Sequence, residues 1–274
     1  MSIRHSIRNL LLTADYLHPA VVGVTRRYGI SGTKQYLAEI YRCSKTDAGR
    51  FLPIINVDDI ISSEAEFRVF RPLNWGGSMT ITEIGSLCQI VAARRPRKIF
   101  EIGTYRGLTT LNLAMNAPEA EVHTLDLPPG ADPDATLFDH SDRQIILTRT
   151  GYFYEGRSEA ARIQQHYGDT ASFDYQEIGD GVDLCLIDAA HSYAYVRNDT
   201  AKTLPLLADD ALLLWHDYGR NDFLPEPEDA WGVSQFLHEI RGTGVRILQG
   251  TSFGVLSLTP VVKQQLAQHL LIAQ

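Results

Sequence analysis

"KIFEIGTYRGLTTLNLAM", Lys98 to Met115, is the stretch on which the fold turns. An apolar strand ends near Glu101, a loop spaced by Gly103 and Gly107 follows, and apolar residues return at helical spacing from Leu108. Strand, glycine loop and helix together form the opening unit of an open α/β sheet. Ligands of such sheets bind outside the carboxyl ends of the strands, where the strand order reverses. The pattern is E-x-G-x-x-x-G, whereas a dinucleotide fingerprint reads G-x-G-x-x-G. Tyr105 stands where the second glycine would face a pyrophosphate; it crowds a diphosphate and tolerates a ligand that has none. Two glycines also suit a purely structural turn, so the loop needs support from elsewhere.

The rest of the chain supplies the sheet. "EVHTLDL", "ARIQQHYGD", "VDLCLID" and "ALLLWHD" read as further strands, separated by helical stretches near "RQIILTRTGYF" and at "YAYVRNDTAKTLPLL". A helix at "DAWGVSQFLHEIR" precedes "VRILQG" and "FGVLSLT", two strands joined through Thr251-Ser252 as a closing hairpin. The expected fold is α/β, a doubly wound and mostly parallel sheet with a terminal antiparallel hairpin. Ahead of it, "TITEIGSLCQIVAARR" is an amphipathic helix opened by a Thr80/Glu83 capping box. Residues 1–73 read as a helical extension that caps the site or dimerises, although "FLPIINVDDII" within it is ambiguous; residues 74–274 form the sheet domain.

Composition narrows the partners. A net charge of -8 in 274 residues argues against a phosphate-backbone partner, which needs clustered Lys and Arg. The run "RRPRK", Arg94 to Lys98, reads as a solvated helix end. Cys43, Cys88 and Cys185 are far apart in apolar stretches, so reduced, buried thiols are expected. The first apolar run is interrupted by Asp15 and His18 and lacks a signal-peptide core, and no stretch suits a bilayer. A cytoplasmic protein without a membrane partner is the expectation.

Two positions say what the loop holds. Asp126 ends the second strand a little over twenty residues past the loop, where a carboxylate suits a ribose diol. Asp169, after the third strand, can accept from an adenine amino group or act as a helix N-cap. These point to an adenosine-type ligand, and by themselves do not separate a nicotinamide dinucleotide from S-adenosylmethionine. Chemistry is expected at the ends of the fourth and fifth strands, where Asp188, His191, His216 and Asp217 gather.

From about Trp75 to Thr259, the sequence resembles a class I S-adenosylmethionine-dependent methyltransferase, on "EIGTYRG", "TLDL", "LIDAAHSYAYVRND" and "LLLWHDY". The branch it resembles holds macrolide and aminocoumarin sugar O-methyltransferases and cephalosporin-hydroxylase-like proteins. The resemblance implies a seven-stranded sheet, with cofactor contacts at Ser78, Met79, Glu101, Gly103, Thr104, Gly107, Asp126 and Asp169. It also implies methyl transfer to a small-molecule hydroxyl, a sugar or secondary metabolite. Several members of that branch hold Mg²⁺ on the strand-end acids, which here places a divalent ion on Asp188, His216 and Asp217. An imidazole at His216 shifts preference from Mg²⁺ toward Mn²⁺, Fe²⁺ or Zn²⁺, or signals that no metal is bound.

An alkyl hydroxyl needs its proton drawn off, and His191, beside Asp188 and Asp217, is the expected general base. Trp75, Phe138, Tyr218, Phe223 and Trp231 offer stacking surface for the acceptor or anchor their loops. Two rivals stand beside this reading: an NAD(P)-dependent oxidoreductase, disfavoured by Tyr105 and the hairpin, and a non-catalytic S-adenosylmethionine-binding accessory protein.

Overall fold

A computed structural model describes residues 52–71, 79–131, 149–218 and 232–272. The strands are β1 (Ile54–Ile55), β2 (Lys98–Ile102), β3 (Glu121–Asp126), β4 (Ile163–Tyr167), β5 (Val182–Ile187), β6 (Leu207–Trp215), β7 (Arg246–Leu248) and β8 (Gly254–Ser257). The helices are α1 (Ile81–Arg94), α2 (Leu108–Asn116), α3 (Tyr193–Thr203), α4 (Gly232–Glu239) and α5 (Pro260–Ile272). The strands form one sheet in the order β1-β7-β8-β6-β5-β2-β3-β4. β2 pairs in parallel with β3 on one side and β5 on the other. The chain direction across the sheet therefore reverses between β2 and β5, which opens the crevice that binds ligands in such folds. β8 runs antiparallel to both β6 and β7 and closes the hairpin.

All seven expected strands are present, and an eighth, β1, pairs in parallel with β7. Two residues are too few to leave a period in the sequence, which is why "FLPIINVDDII" reads ambiguously. The compact unit that holds the sheet includes Leu52 onward; of the extension expected over residues 1–73, residues 1–51 and 72–73 lie outside the described residues. Of the helix expected near "RQIILTRTGYF", Arg149 to Phe153 form turns and the remainder lies outside the described residues. α5 extends the fold beyond the last strand that the sequence pattern gives.

β2, β5 and β6 are buried on both faces, so they read as continuous apolar runs. On one face Ile99, Leu184 and Leu212 pack with Leu87, Ile90 and Val91 of α1 and Leu113 of α2. On the other, Phe100, Cys185, Leu213 and Trp215 pack with Val196 of α3, Phe236 of α4 and Leu266 of α5. Cys88 and Cys185 are buried, unpaired thiols as expected; Cys43 lies outside the described residues. Asp199, which with Arg197 reads as a solvated helix face, is instead fully buried on the inner side of α3. It accepts from Asn198 Nδ2 at 2.9 Å, and burial pushes its carboxyl up to about 6. A helix whose inward positions are polar hides them from a periodicity argument. Thr200 shows how they are satisfied: its hydroxyl donates to the Val196 carbonyl at 2.7 Å and accepts from Trp215 Nε1 at 2.9 Å.

α2 also grips the chain leading toward α1. Asn112 and Asn116, one turn apart on one face, treat residues 68 and 70 as a strand edge. Asn112 accepts from the Phe70 N–H at 2.7 Å and donates to its carbonyl at 3.2 Å. Asn116 does the same for Arg68, at 2.8 Å in both directions. Replacing Asn112 with Leu strands both groups of Phe70. That change should cost about 1–3 kcal/mol in urea unfolding, and a loss near zero would contradict the assigned role.

Candidate active site

The cofactor half begins at the β2 end. Glu101 is sealed from solvent, and its Oε2 accepts from the hydroxyls of Thr110 and Thr124. Its Oε1 has no hydrogen-bond partner among the described residues. Burial pushes the carboxyl up to about 8, against those two hydroxyls and with Asp188 and Asp126 adding to the rise. Gly103 has φ 104°, and a Cβ there would overlap the Asp188 carbonyl, so only glycine fits between the β2 and β5 ends. Thr104 is buried, its hydroxyl paired with Thr124 at 2.7 Å and accepting from Gln165 Nε2 at 3.1 Å. Gly107 is covered by the Tyr154 ring. Glu101, Thr104 and the two glycines thus shape the loop from within.

Asp126 faces the loop more openly. Its carboxylate accepts from the backbone N–H of Tyr105 at 2.6 Å and of Leu127 at 2.7 Å, which holds Tyr105 at φ 47°. Burial raises its carboxyl and those N–H groups oppose the rise. Asp169 Oδ1 accepts from the Ala171 N–H at 2.8 Å and the Tyr195 hydroxyl at 3.0 Å, an arrangement of the capping kind. Met79 is buried in the core beside α1, and Ser78 lies outside the described residues, as do Trp75, Phe138, Phe223 and Trp231.

The chemical half lies across Gly103. Asp188 follows β5, and His216 and Asp217 follow β6, each backbone fixed by a ladder bond: Asp188 N–H to Ile102 O at 2.8 Å, His216 N–H to Ile187 O at 3.0 Å. His191 precedes Ser192, the N-cap of α3, whose hydroxyl accepts from the Tyr195 N–H. Gly232, the first residue of α4, packs against the backbone of His191 and Tyr193 so closely that a Cβ would clash with it. These elements place His191 Nε2 2.6 Å from Asp217 Oδ2. Asp188, His191 and Asp217 each offer a ligand atom, all within 4.8 Å of one another.

His216 sits behind them, almost fully buried. Its Nδ1 lies 2.9 Å from Asp188 Oδ1 and 3.3 Å from Asp217 Oδ1, and its Nε2 lies 3.5 Å from Glu83 Oε1. Burial alone would lower its pKa, yet Asp188 and Asp217 hold it well above the ordinary imidazole range. The same contacts, with that from His191, keep Asp217 well below the usual carboxylate range despite its burial. His216 Nδ1 thus faces both carboxylates from behind. Among the described residues, the donor atoms that converge are those of Asp188, His191 and Asp217. Glu83 reads in the sequence only as a helix cap. Its Oε2 accepts from the Thr80 N–H at 2.8 Å, as the capping box requires, while its Oε1 reaches the site.

Residues 100–218 match the family described as a methyltransferase domain. No curated protein matches the chain. Solved structures similar to it include the O-methyltransferase TomG of Streptomyces achromogenes, involved in tomaymycin synthesis and bound to the cofactor. That likeness has 18% identity over 66% of this chain and 81% of TomG, with a TM-score of 0.46. The Podospora anserina methyltransferase PaMTH1, bound to adenosylhomocysteine, is 16% identical over 88% of this chain and 94% of its own, at a TM-score of 0.46. An O-methyltransferase of Bacillus cereus is 16% identical over 68% and 84%, at 0.44.

The residues around the glycine loop are compatible on two counts with S-adenosylmethionine, the cofactor that the sequence resemblance implies. The Asp126 carboxylate has lone pairs beyond the two backbone bonds it accepts, enough for a diol. Glu101 Oε1 is a buried acceptor without a partner among the described residues, a complement to an ammonium group. Glu101 also gives a pH test. The fold favours its neutral form, so its contribution to stability is whole below the ordinary 4.5 and is lost as pH rises through about 8. Glu101→Gln, always neutral, should match the wild-type melting temperature near pH 4.5 and gain on it steadily toward pH 8. A difference that stays flat with pH would refute this.

Proposed function

We propose that the protein is an S-adenosylmethionine-dependent O-methyltransferase of a small-molecule hydroxyl, on a sugar or other secondary metabolite, with the His191–Asp217 pair taking the proton. The observation that carries the proposal is the 2.6 Å contact between His191 Nε2 and Asp217 Oδ2 at the carboxyl edge of the sheet. When bound, the cofactor supplies a methyl group already activated by its sulfonium. What remains for the chain is to hold the ligands and manage one proton. Asp126 takes the ribose, Asp169 borders the adenine, and Glu101 with Ser78 and Met79 borders the methionine end. Gly103, Thr104 and Gly107 keep the loop in shape. Alignment of this kind contributes about 7–11 kcal/mol. A positioned base adds about 10²–10⁴-fold, so alignment is the larger effect.

Asp217 stays ionised because His216 and His191 surround it, and an ionised Asp217 stabilises the His191 imidazolium that forms on proton uptake. Asp188 completes the wall beside the acceptor. The convergence of Asp188, His191 and Asp217 favours one second reading, in which those three residues hold a divalent cation and the cation acidifies the hydroxyl. An imidazole among the ligands then selects Mn²⁺, Fe²⁺ or Zn²⁺ over Mg²⁺.

The test is methyl transfer from labelled S-adenosylmethionine to a panel of sugars and phenols. His191→Ala should slow it by about 10²–10⁴-fold and leave adenosylhomocysteine affinity, measured by calorimetry, unchanged. Unaltered turnover would remove His191 from the reaction. Under the principal reading EDTA leaves the wild-type rate intact; loss of rate restored by Mn²⁺ would establish the second reading instead.

A further inference from the structure

Asp217 has φ 67°, in the left-handed region that non-glycine residues seldom occupy. Such a conformation persists only where its surroundings over-determine it, so something must hold it. The hold comes from the turn between β7 and β8. Tyr218 N–H donates to the Ser252 carbonyl at 2.9 Å, and Asp217 N–H donates to Ser252 Oγ at 3.3 Å. The Ser252 hydroxyl then donates to Glu83 Oε1 at 2.7 Å, and the Ser252 N–H reaches the same oxygen at 3.0 Å. Glu83 is itself fixed at the start of α1 by its capping bond to Thr80. A continuous path of hydrogen bonds thus runs from the α1 N-terminus through Glu83 and Ser252 to the backbone of Asp217, and across its carboxylate to His191.

We propose that Ser252, anchored by Glu83, is a positioning residue: it locks Asp217 in the left-handed conformation that aims its carboxylate at His191. Neither residue handles the acceptor or its proton. The inference rests on the reading of His191 and Asp217 as the proton-taking pair. It gives the terminal hairpin, 35 residues past Asp217 in the chain at Ser252, a part in the chemistry.

Long-range ¹H–¹⁵N correlation of the imidazole rings in the full-length protein tests it without any acceptor. His191→Gln identifies the His191 signals, and Asp217→Asn defines their positions once the carboxylate is gone. Ser252→Ala, which removes both hydroxyl contacts, should shift the His191 signals toward those of Asp217→Asn. Ser252→Thr, which keeps the hydroxyl, should leave them at the wild-type positions. Glu83→Gln, which retains a capping side chain, should shift them in the same direction as Ser252→Ala, and it decides the matter if Ser252→Ala does not fold. Wild-type His191 signals in a folded Ser252→Ala, or in Glu83→Gln where that variant must decide, would overturn the proposal. If Asp217→Asn itself leaves the His191 signals unmoved, the pair does not exist in solution and the functional reading fails first, a separate outcome.

Discussion

The missing side chain at Gly103 is the constraint on which the site depends. With any other residue there, the end of β2 could not approach the Asp188 carbonyl at the end of β5. That contact lies where the strand order reverses, so it joins the two halves of the site edge to edge. Asp126 and the loop stand on one side, and Asp188, His191 and Asp217 on the other. Tyr105 at φ 47° and Asp217 at φ 67° are held out of ordinary backbone regions on either side of this seam, each by hydrogen bonds from a neighbouring element. Strain at both flanks of a ligand crevice is a mark of geometry fixed before binding.

Charge is the second constraint. Three carboxylates, Glu83, Asp188 and Asp217, lie close together at a sheet edge from which water is largely excluded. Unpaired, buried carboxylates cost several kcal/mol each and neutralise instead. His216 lies among them, with Nδ1 facing Asp188 and Asp217 and Nε2 facing Glu83, and Asp188 and Asp217 hold its pKa above the ordinary imidazole range. Asp217, held below the usual carboxylate range in this way, can orient His191 at neutral pH.

Much of this was legible in the sequence, and the failures have physical causes. The parallel strands announced themselves because both of their faces are buried, and the glycine loop and strand-end acids follow from their register. Asp188, His191 and Asp217 were singled out by position alone, since residues just past adjacent parallel strands must lie near one another. β1 was hidden by its two-residue length. The burial of Asp199 does not show in the sequence because helical periodicity counts apolar residues, and α3 buries polar ones. Glu83 was read as a helix cap, which it is; its second oxygen finds Ser252, 169 residues away, and no local pattern carries that information. The position of His216 past β6 was legible; that Glu83 and Asp188, from other elements, flank its ring was not.

The claim at the centre is that one crevice, at the β2/β5 seam, holds donor and acceptor together. A crystal structure of the protein with adenosylhomocysteine tests it most directly. The account predicts ribose hydroxyls on the Asp126 carboxylate and the sulfur turned toward Asp188 and Asp217. A ribose held elsewhere, or a sulfur facing away from those two acids, would contradict it.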